Sequence, residues 1–272
     1  YEVFDADMHA SALRRLQMEH DLRHAIDHGE LVLHYQPSIS LPSSQVVGVE
    51  ALVRWQHPER GMISPGEFIP LAEESGLIAP LGSWVLREAC RQASEWITDG
   101  WADVSISVNL SARQFRQPGL VPEIEAILDE TRLAPRHLTL ELTETAVMDD
   151  AGQAIERLQA LKVLGVRIAI DDFGTGYSSL AYLQQFPVDA LKIDRRFVAG
   201  LGTNDTDAAI VRSILTLAHS LGLRVVAEGV EQAEQVTLLR ALGCEQAQGF
   251  HFSRPRPADE ILPLVHRAAP TR

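Results

Sequence analysis

Apolar, β-branched runs alternate along this chain with longer stretches that repeat their apolar positions every three to four residues. The runs at 31–39 and 46–55, joined by a polar Pro-Ser-Ser turn, predict a hairpin. Further runs predict strands at 103–109, 137–143, 166–170, 188–193, 223–227 and 245–247. Helical periodicity predicts a helix from Ser64-Pro65 through Glu74 and a longer one over 78–98. Others follow at 119–131, 151–164, 178–184, 204–221, 231–242 and 257–267. Alternating βα units imply a parallel sheet covered by helices. The α/β fold expected is a closed (β/α)8 barrel of TIM type with an antiparallel first strand, because the opening hairpin reverses it. An open doubly wound sheet is the alternative, but no G-x-G-x-x-G follows the first strand. At the front, Leu13, Leu16, Leu22, Ala25 and Ile26 stand among charges and predict an amphipathic helix over 1–28, ended near Gly29. Residues 1–20 read as a linker helix from an upstream domain and 21–268 as the barrel.

Polar residues interrupt this pattern at particular places. The stretch 166–180 begins with Val166, Ile168 and Ile170, meets the adjacent acids Asp171 and Asp172 at the expected strand end, and continues into a loop with Gly174 and Gly176. Asp-Asp by itself is usually a turn or a helix cap. Here the pattern recurs, with Glu50, Asn109, Glu141, Lys192, Glu228 and Gln248 near the C-terminal ends of other strands. In a barrel these ends share one face, the face that carries active sites. A single strand-end Glu is ordinarily solvated and a single Lys a surface charge; the recurrence is what argues for a site.

Charge sharpens the picture. Glu50, Glu141, Asp171, Asp172 and Glu228 would bring five carboxylates together against the one ammonium of Lys192. Like charges ~4 Å apart repel by roughly 4 kcal/mol at an effective dielectric near 20, so such a site takes up protons or cations. Two divalent ions would cancel the remaining four charges. Ligands that are all oxygens favour Mg2+ or Mn2+ over Zn2+, and two such ions suit phosphate ester hydrolysis. The ten histidines are read as forming no H-x-x-x-H or other metal spacing, and hence as mostly structural. A net charge of −13 argues against DNA as a partner. Two cysteines without CxxC spacing fit a reducing cytoplasm. No run approaches the ~18 apolar residues of a membrane span. The chain begins at Tyr1, which fits excision from a longer protein with a sensor or inner-membrane anchor upstream.

An ordered set of motifs then resembles the EAL domain family of cyclic di-GMP phosphodiesterases over residues 20–265. The set comprises Y-Q-P at 35–37, E-A-L-V-R-W at 50–55, S-P-G-E-F-I-P at 64–70, S-V-N-L-S at 107–111 and E-L-T-E at 141–144. It continues with D-D-F-G-T-G-Y-S-S-L at 171–180, L-K-I-D at 191–194, A-E-G-V-E at 227–231 and Q-G-F at 248–250. Residues 1–20 resemble the exit from a GGDEF domain, hence a GGDEF–EAL tandem protein. The resemblance implies hydrolysis of cyclic di-GMP to linear 5'-pGpG. It implies one metal on Glu50, Asn109, Glu141 and Asp171, with Asp171 bridging to a second shared with Asp172 and Glu228. Lys192 would orient the attacking water, and Glu228 is also a candidate general base. Glu144 would anchor the Asp-Asp loop, while Gln36, Arg54, Glu231 and Gln248 would meet the substrate. Calcium would inhibit, its coordination being looser than the octahedron of Mg2+. A homodimer formed near 171–180 is also implied. The tail F-H-F-S-R-P-R-P departs from the family, which often has a second apolar residue and Leu-Pro there. Three other readings compete: a catalytically silent cyclic di-GMP effector, a domain that mainly relays signals by dimerising, and an enolase-type proton abstraction. The last needs a capping domain for which too few residues precede the first strand.

Overall fold

The computed structural model describes residues 2–176 and 180–268. Helix α1 (Glu2–His28) runs unbroken across residue 20, the expected boundary. Its later part packs: Leu22 and Ala25 are fully buried, whereas Leu13 and Leu16 are 61% and 63% exposed. The five apolar positions do not form one stripe. At 3.6 residues per turn, Leu13 and Leu22 are two and a half turns apart and face opposite ways.

Strands β1 (Leu31–Ser40) and β2 (Val46–His57) form the antiparallel hairpin, which sets Gln36 opposite Glu50. A short strand not foreseen, β3 (Gly61–Ile63), pairs with the outer end of β2. Helices α2 (Pro65–Ser75) and α3 (Ile78–Thr98) follow, where Phe68 meets Trp55 and Trp96 meets Tyr35 edge to face. From there strand and helix alternate. The strands are β4 (Ile106–Asn109), β5 (Leu138–Thr143), β6 (Arg167–Phe173), β7 (Ala190–Ile193), β8 (Arg224–Ala227) and β9 (Gln246–Gln248). Neighbours from β2 through β9 are parallel, apart from the appended β3, and β1 pairs antiparallel with both β2 and β9. This closes an eight-stranded barrel. Leu138, Leu140, Ile168, Leu191, Ile193 and Val225 are fully buried, as strands covered on both faces require.

Short helices sit at the C-terminal ends of three strands: α4 (Ala112–Phe115) after β4, α6 (Glu144–Met148) after β5, and α9 (Arg195–Ala199) after β7. Each is started by a side-chain cap, Ser111, Thr143 or Asp194. They are too short to show a 3.6-residue period, so the sequence reads them as loop. The longer outer helices are α5 (Leu120–Thr131), α7 (Ala151–Leu164), α10 (Asp205–Ser220) and α11 (Ala233–Ala241). Of the helix expected at 178–184, α8 (Leu180–Leu183) is described, and residues 178 and 179 lie outside the described residues. The one expected at 257–267 divides into a 3-10 turn at Ala258–Glu260 and α12 (Leu262–Ala268).

The two halves of α1 give an internally controlled test. Leu22→Ala should destabilise by about 2–5 kcal/mol in urea unfolding, because a buried leucine leaves a cavity. Leu16→Ala, the same change on an exposed face, should stay within about 0.5 kcal/mol.

Candidate active site

Successive residues in a strand point to opposite faces, so adjacent acids do not normally serve one site. Strand β6 escapes this rule. It does not end at Ile170 as expected but continues to Phe173, and its register against β7 shifts between Ile170 and Phe173. Asp172 sits there with φ 53°, a left-handed conformation that Asp tolerates better than most residues. The bulge turns both carboxylates toward the barrel mouth, where Asp171, Asp172 and Glu228 offer oxygens within 4.8 Å of one another.

Lys192, on β7, is the centre of the arrangement. It is 2% exposed, and its Nζ lies 2.5 Å from Glu141 Oε2, 2.5 Å from Glu228 Oε1, 3.5 Å from Glu50 Oε2 and 3.6 Å from Asp171 Oδ1. Asn109 Nδ2 donates to Glu50 Oε1 at 2.7 Å. Gln248 Nε2 donates to Glu50 Oε2 at 2.7 Å and to Gln36 Oε1 at 3.1 Å. Gln36 Nε2 donates to the carbonyl of Ser253 at 3.1 Å, and Ser38 Oγ to Gln248 Oε1 at 3.0 Å. Register explains the contacts, since Gln36 pairs with Glu50, Ser38 with Gln248 and Asn109 with Glu141 across neighbouring strands.

The remaining expected residues lie around this centre. Glu144 is buried behind the Asp-Asp loop, with Oε2 accepting from Gly174 N at 3.0 Å. A Cβ on Gly176 would come within 2.7 Å of Glu144 Oε1, so only glycine lets the loop lie this close. The loop's residues 177–179 lie outside the described residues. Glu231 and Gln248 line a cleft of about 240 Å3 with Gln36, Glu50, Asp171 and Glu228. Arg54 is elsewhere: it lines an apolar cavity of about 320 Å3 with Asn109 and Glu141, and donates to the Val53 carbonyl. Leu52 borders both spaces. A larger depression of about 640 Å3 lies between α1 and α2, where four of the charged side chains pair as Arg15–Glu74 and Arg60–Glu67.

Three contributors were not singled out from sequence. Arg195 and Phe250 line the 240 Å3 cleft, the latter 48% exposed with the Arg254 guanidinium 4.3 Å over its ring. Asp194 caps α9 and hydrogen-bonds Asp172. Arg195 and Asp194 abut or close the L-K-I-D segment, and Phe250 ends Q-G-F, so each stood beside or within a segment already marked.

Protonation follows from this crowding. Burial, then the charges of Asp171 and Glu50, push Glu228 up to about 8 against the pull of Lys192. Burial, the charge of Asp171 and the hydrogen bond with Asp194 raise Asp172 to about 6. Glu141 is raised well above its ordinary value by burial and by three neighbouring carboxylates, although Lys192 opposes the shift. Glu50 goes the other way: burial alone would raise it, but Lys192, Gln248 and Asn109 together stabilise its anion. Burial also disfavours the Lys192 ammonium, yet the surrounding carboxylates outweigh that and hold it protonated. Without cations, then, the site stores protons.

This storage has a measurable sign. In chelator-treated protein the folded state binds Glu228 and Asp172 protons more tightly than the unfolded chain, whose ordinary values are 4.5 and 3.8. Stability should therefore fall as pH rises through about 4 to 8, the window these two groups span. Excess Mg2+ should remove most of that slope, which thermal melts at pH 5 to 8 with and without the ion will read.

Comparison with known proteins places the chain among described relatives. The EAL domain family model matches residues 19–255. The bifunctional diguanylate cyclase/cyclic di-GMP phosphodiesterase MucR of Pseudomonas aeruginosa is 50% identical over 265 residues, covering 97% of this chain and 39% of that protein. The cyclic di-GMP phosphodiesterase NbdA of the same organism is 44% identical over 256 residues, covering 94% of this chain and 33% of NbdA. The chain thus spans about a third to two fifths of these relatives. The solved PaMucR phosphodiesterase in complex with c-di-GMP superposes with a TM-score of 0.88 at 51% identity, covering 90% of this chain and 99% of that one.

Proposed function

The chain belongs to the EAL domain family, and from that premise we propose that it is a metal-dependent phosphodiesterase that opens cyclic di-GMP to linear 5'-pGpG. The observation that carries the reading is one buried ammonium facing four carboxylates at the barrel mouth, with Asp172 as a fifth alongside. That donor set fits hard divalent cations, Mg2+ or Mn2+, since it offers oxygen ligands and an excess of negative charge. Glu50, Asn109, Glu141 and Asp171 would hold one ion; Asp171 would be shared with a second held by Asp172 and Glu228. When bound, such ions polarise the phosphate and lower the pKa of a water.

The protein's own groups supply the rest. Lys192 orients the attacking water and offsets its charge. Glu228, beside Lys192 at the mouth, would also serve as the base that takes the water's proton. The water oxygen bonds to phosphorus as the P–O3' bond breaks, and the leaving 3'-oxygen takes a proton from solvent while Glu228 later returns its own to solvent. Gln36, Gln248 and Glu231 line the cleft on one side of Leu52 and Arg54 the cavity on the other, which suits a substrate with two nucleoside arms about a central phosphate. An arginine matches a phosphate or a guanine edge. Glu144 anchors the loop that carries Asp171 and Asp172.

The resemblance and the relatives supply the setting. A GGDEF or sensor domain N-terminal to α1 fits MucR, a bifunctional diguanylate cyclase/phosphodiesterase. Homodimerisation would proceed through the region of the 171–180 loop. A cytoplasmic domain fits a substrate made and consumed inside the cell, and no described helix is long and apolar enough to cross a membrane.

Glu50→Ala or Asp171→Ala should lower hydrolysis of cyclic di-GMP in Mg2+ by at least about a thousandfold, followed by chromatography of pGpG. Near wild-type turnover in either variant contradicts the assignment. Lys192→Ala should reduce kcat far more than it weakens substrate binding; an equal loss in both would make Lys192 a binding residue only.

A further inference from the structure

The expectation that the histidines form no H-x-x-x-H spacing is wrong on α1. His20, His24 and His28 recur every fourth residue, and all three are exposed. Residues four apart lie on one side of a helix with Cβ atoms about 5–6 Å apart. The His24 and His28 rings are stacked, with centroids 3.7 Å apart and planes 4° from parallel.

The hydrogen bonds around this pair fix which nitrogens are free. His28 Nδ1 lies 2.8 Å from the His24 carbonyl. A carbonyl only accepts, so Nδ1 carries the hydrogen, and in the neutral ring Nε2 then keeps its lone pair. His24 Nδ1 lies 3.1 Å from Glu30 Oε1, with the same consequence. Neither Nε2 has a hydrogen-bond partner among the described residues. Glu30 is itself held: its side chain is 17% exposed, and Oε2 accepts from Trp55 Nε1 at 3.0 Å. An imidazole whose Nδ1–H is held by a fixed carboxylate or a backbone carbonyl, with Nε2 left open, is the arrangement that orients metal-binding histidines.

We propose that His24 and His28 form a surface site for one late first-row divalent cation, Zn2+, Ni2+ or Cu2+, ligated through both Nε2 atoms and oriented by Glu30. Water fills the remaining positions, and His20, one turn earlier, is the further nitrogen on the same stripe. Imidazole suits these ions, whereas carboxylate and water suit Mg2+ and Mn2+. The chain therefore carries two cation sites of opposite preference, one all oxygen in the barrel mouth and one nitrogen on α1. A simpler role exists, since a protonated histidine in a last helical turn stabilises the helix dipole. That role asks nothing of His24, four residues further back. The stacked rings hold their Nε2 lone pairs in parallel planes, so the rings fan apart about their side-chain torsions to share one cation.

Titration calorimetry with Ni2+, on protein saturated with Mg2+ so that the barrel mouth is engaged, tests this directly. One Ni2+ should bind per chain, and His24→Ala or His28→Ala should weaken it at least about tenfold. Glu30→Gln, which keeps both ligands but replaces the orienting carboxylate, should weaken it by about tenfold as well. Cu2+ as a second probe should show coupling to two imidazole nitrogens by electron paramagnetic resonance. Asp171→Ala/Asp172→Ala should leave Ni2+ binding intact. Unchanged Ni2+ affinity in the His24→Ala/His28→Ala double variant, or Cu2+ spectra without imidazole coupling, overturns the proposal. So does loss of Ni2+ binding in Asp171→Ala/Asp172→Ala.

Discussion

One lysine that cannot reach water governs the barrel mouth. Lys192 keeps its charge only because carboxylates from β2, β5, β6 and the end of β8 face it. Those carboxylates are in turn too many for one ammonium. Burial converts each surplus charge into a raised proton affinity, as Glu141, Asp172 and Glu228 show. A closed barrel can impose such crowding because each strand end is fixed by its neighbours, and no acid can swing away from the others. The frustration is thus built by the fold and relieved by what binds there.

Geometry at two points makes this crowding possible. The bulge in β6 sets consecutive acids on one side, which a regular strand forbids. The reversed first strand does something different. Running antiparallel to both β2 and β9, it carries Gln36 and Ser38 into hydrogen-bonding contact with Gln248, which in turn donates to Glu50. A parallel first strand would present a different register there. The departure from the ordinary βα alternation therefore lies next to the chemistry.

Much of this was legible in the residues. Strand-end acids on apolar runs marked the mouth, because a two-residue period and a parallel sheet fix where those ends go. What the residues did not reveal are features without a period. Helices α4, α6 and α9 are about one turn each, and capping chemistry alone announces them. The β6 bulge depends on its register against β7, which no single segment encodes. Leu13 and Leu16 looked like part of one apolar face until their angle from Leu22 was counted. Arg54 shared a motif with Glu50, yet four positions along a strand carried it into a different cavity. The four-residue spacing of His24 and His28 stands in the sequence but was not read there; what sets the pair apart is Glu30, held by Trp55 in another element.

The amides beside Glu50 have a direction. The Ser253 carbonyl can only accept, so Gln36 must turn its NH2 toward it and present its oxygen to Gln248. Gln248 must then present its own NH2 to both Gln36 and Glu50. A backbone atom at one end thereby dictates the polarity of the whole relay, and neither amide can flip alone without opposing like poles. Glu50 is consequently met by donors whatever the proton inventory of its neighbours. Its anion is favoured in a basin where Glu141, Asp172 and Glu228 hold their protons more tightly than usual, which makes it a foothold for an incoming cation.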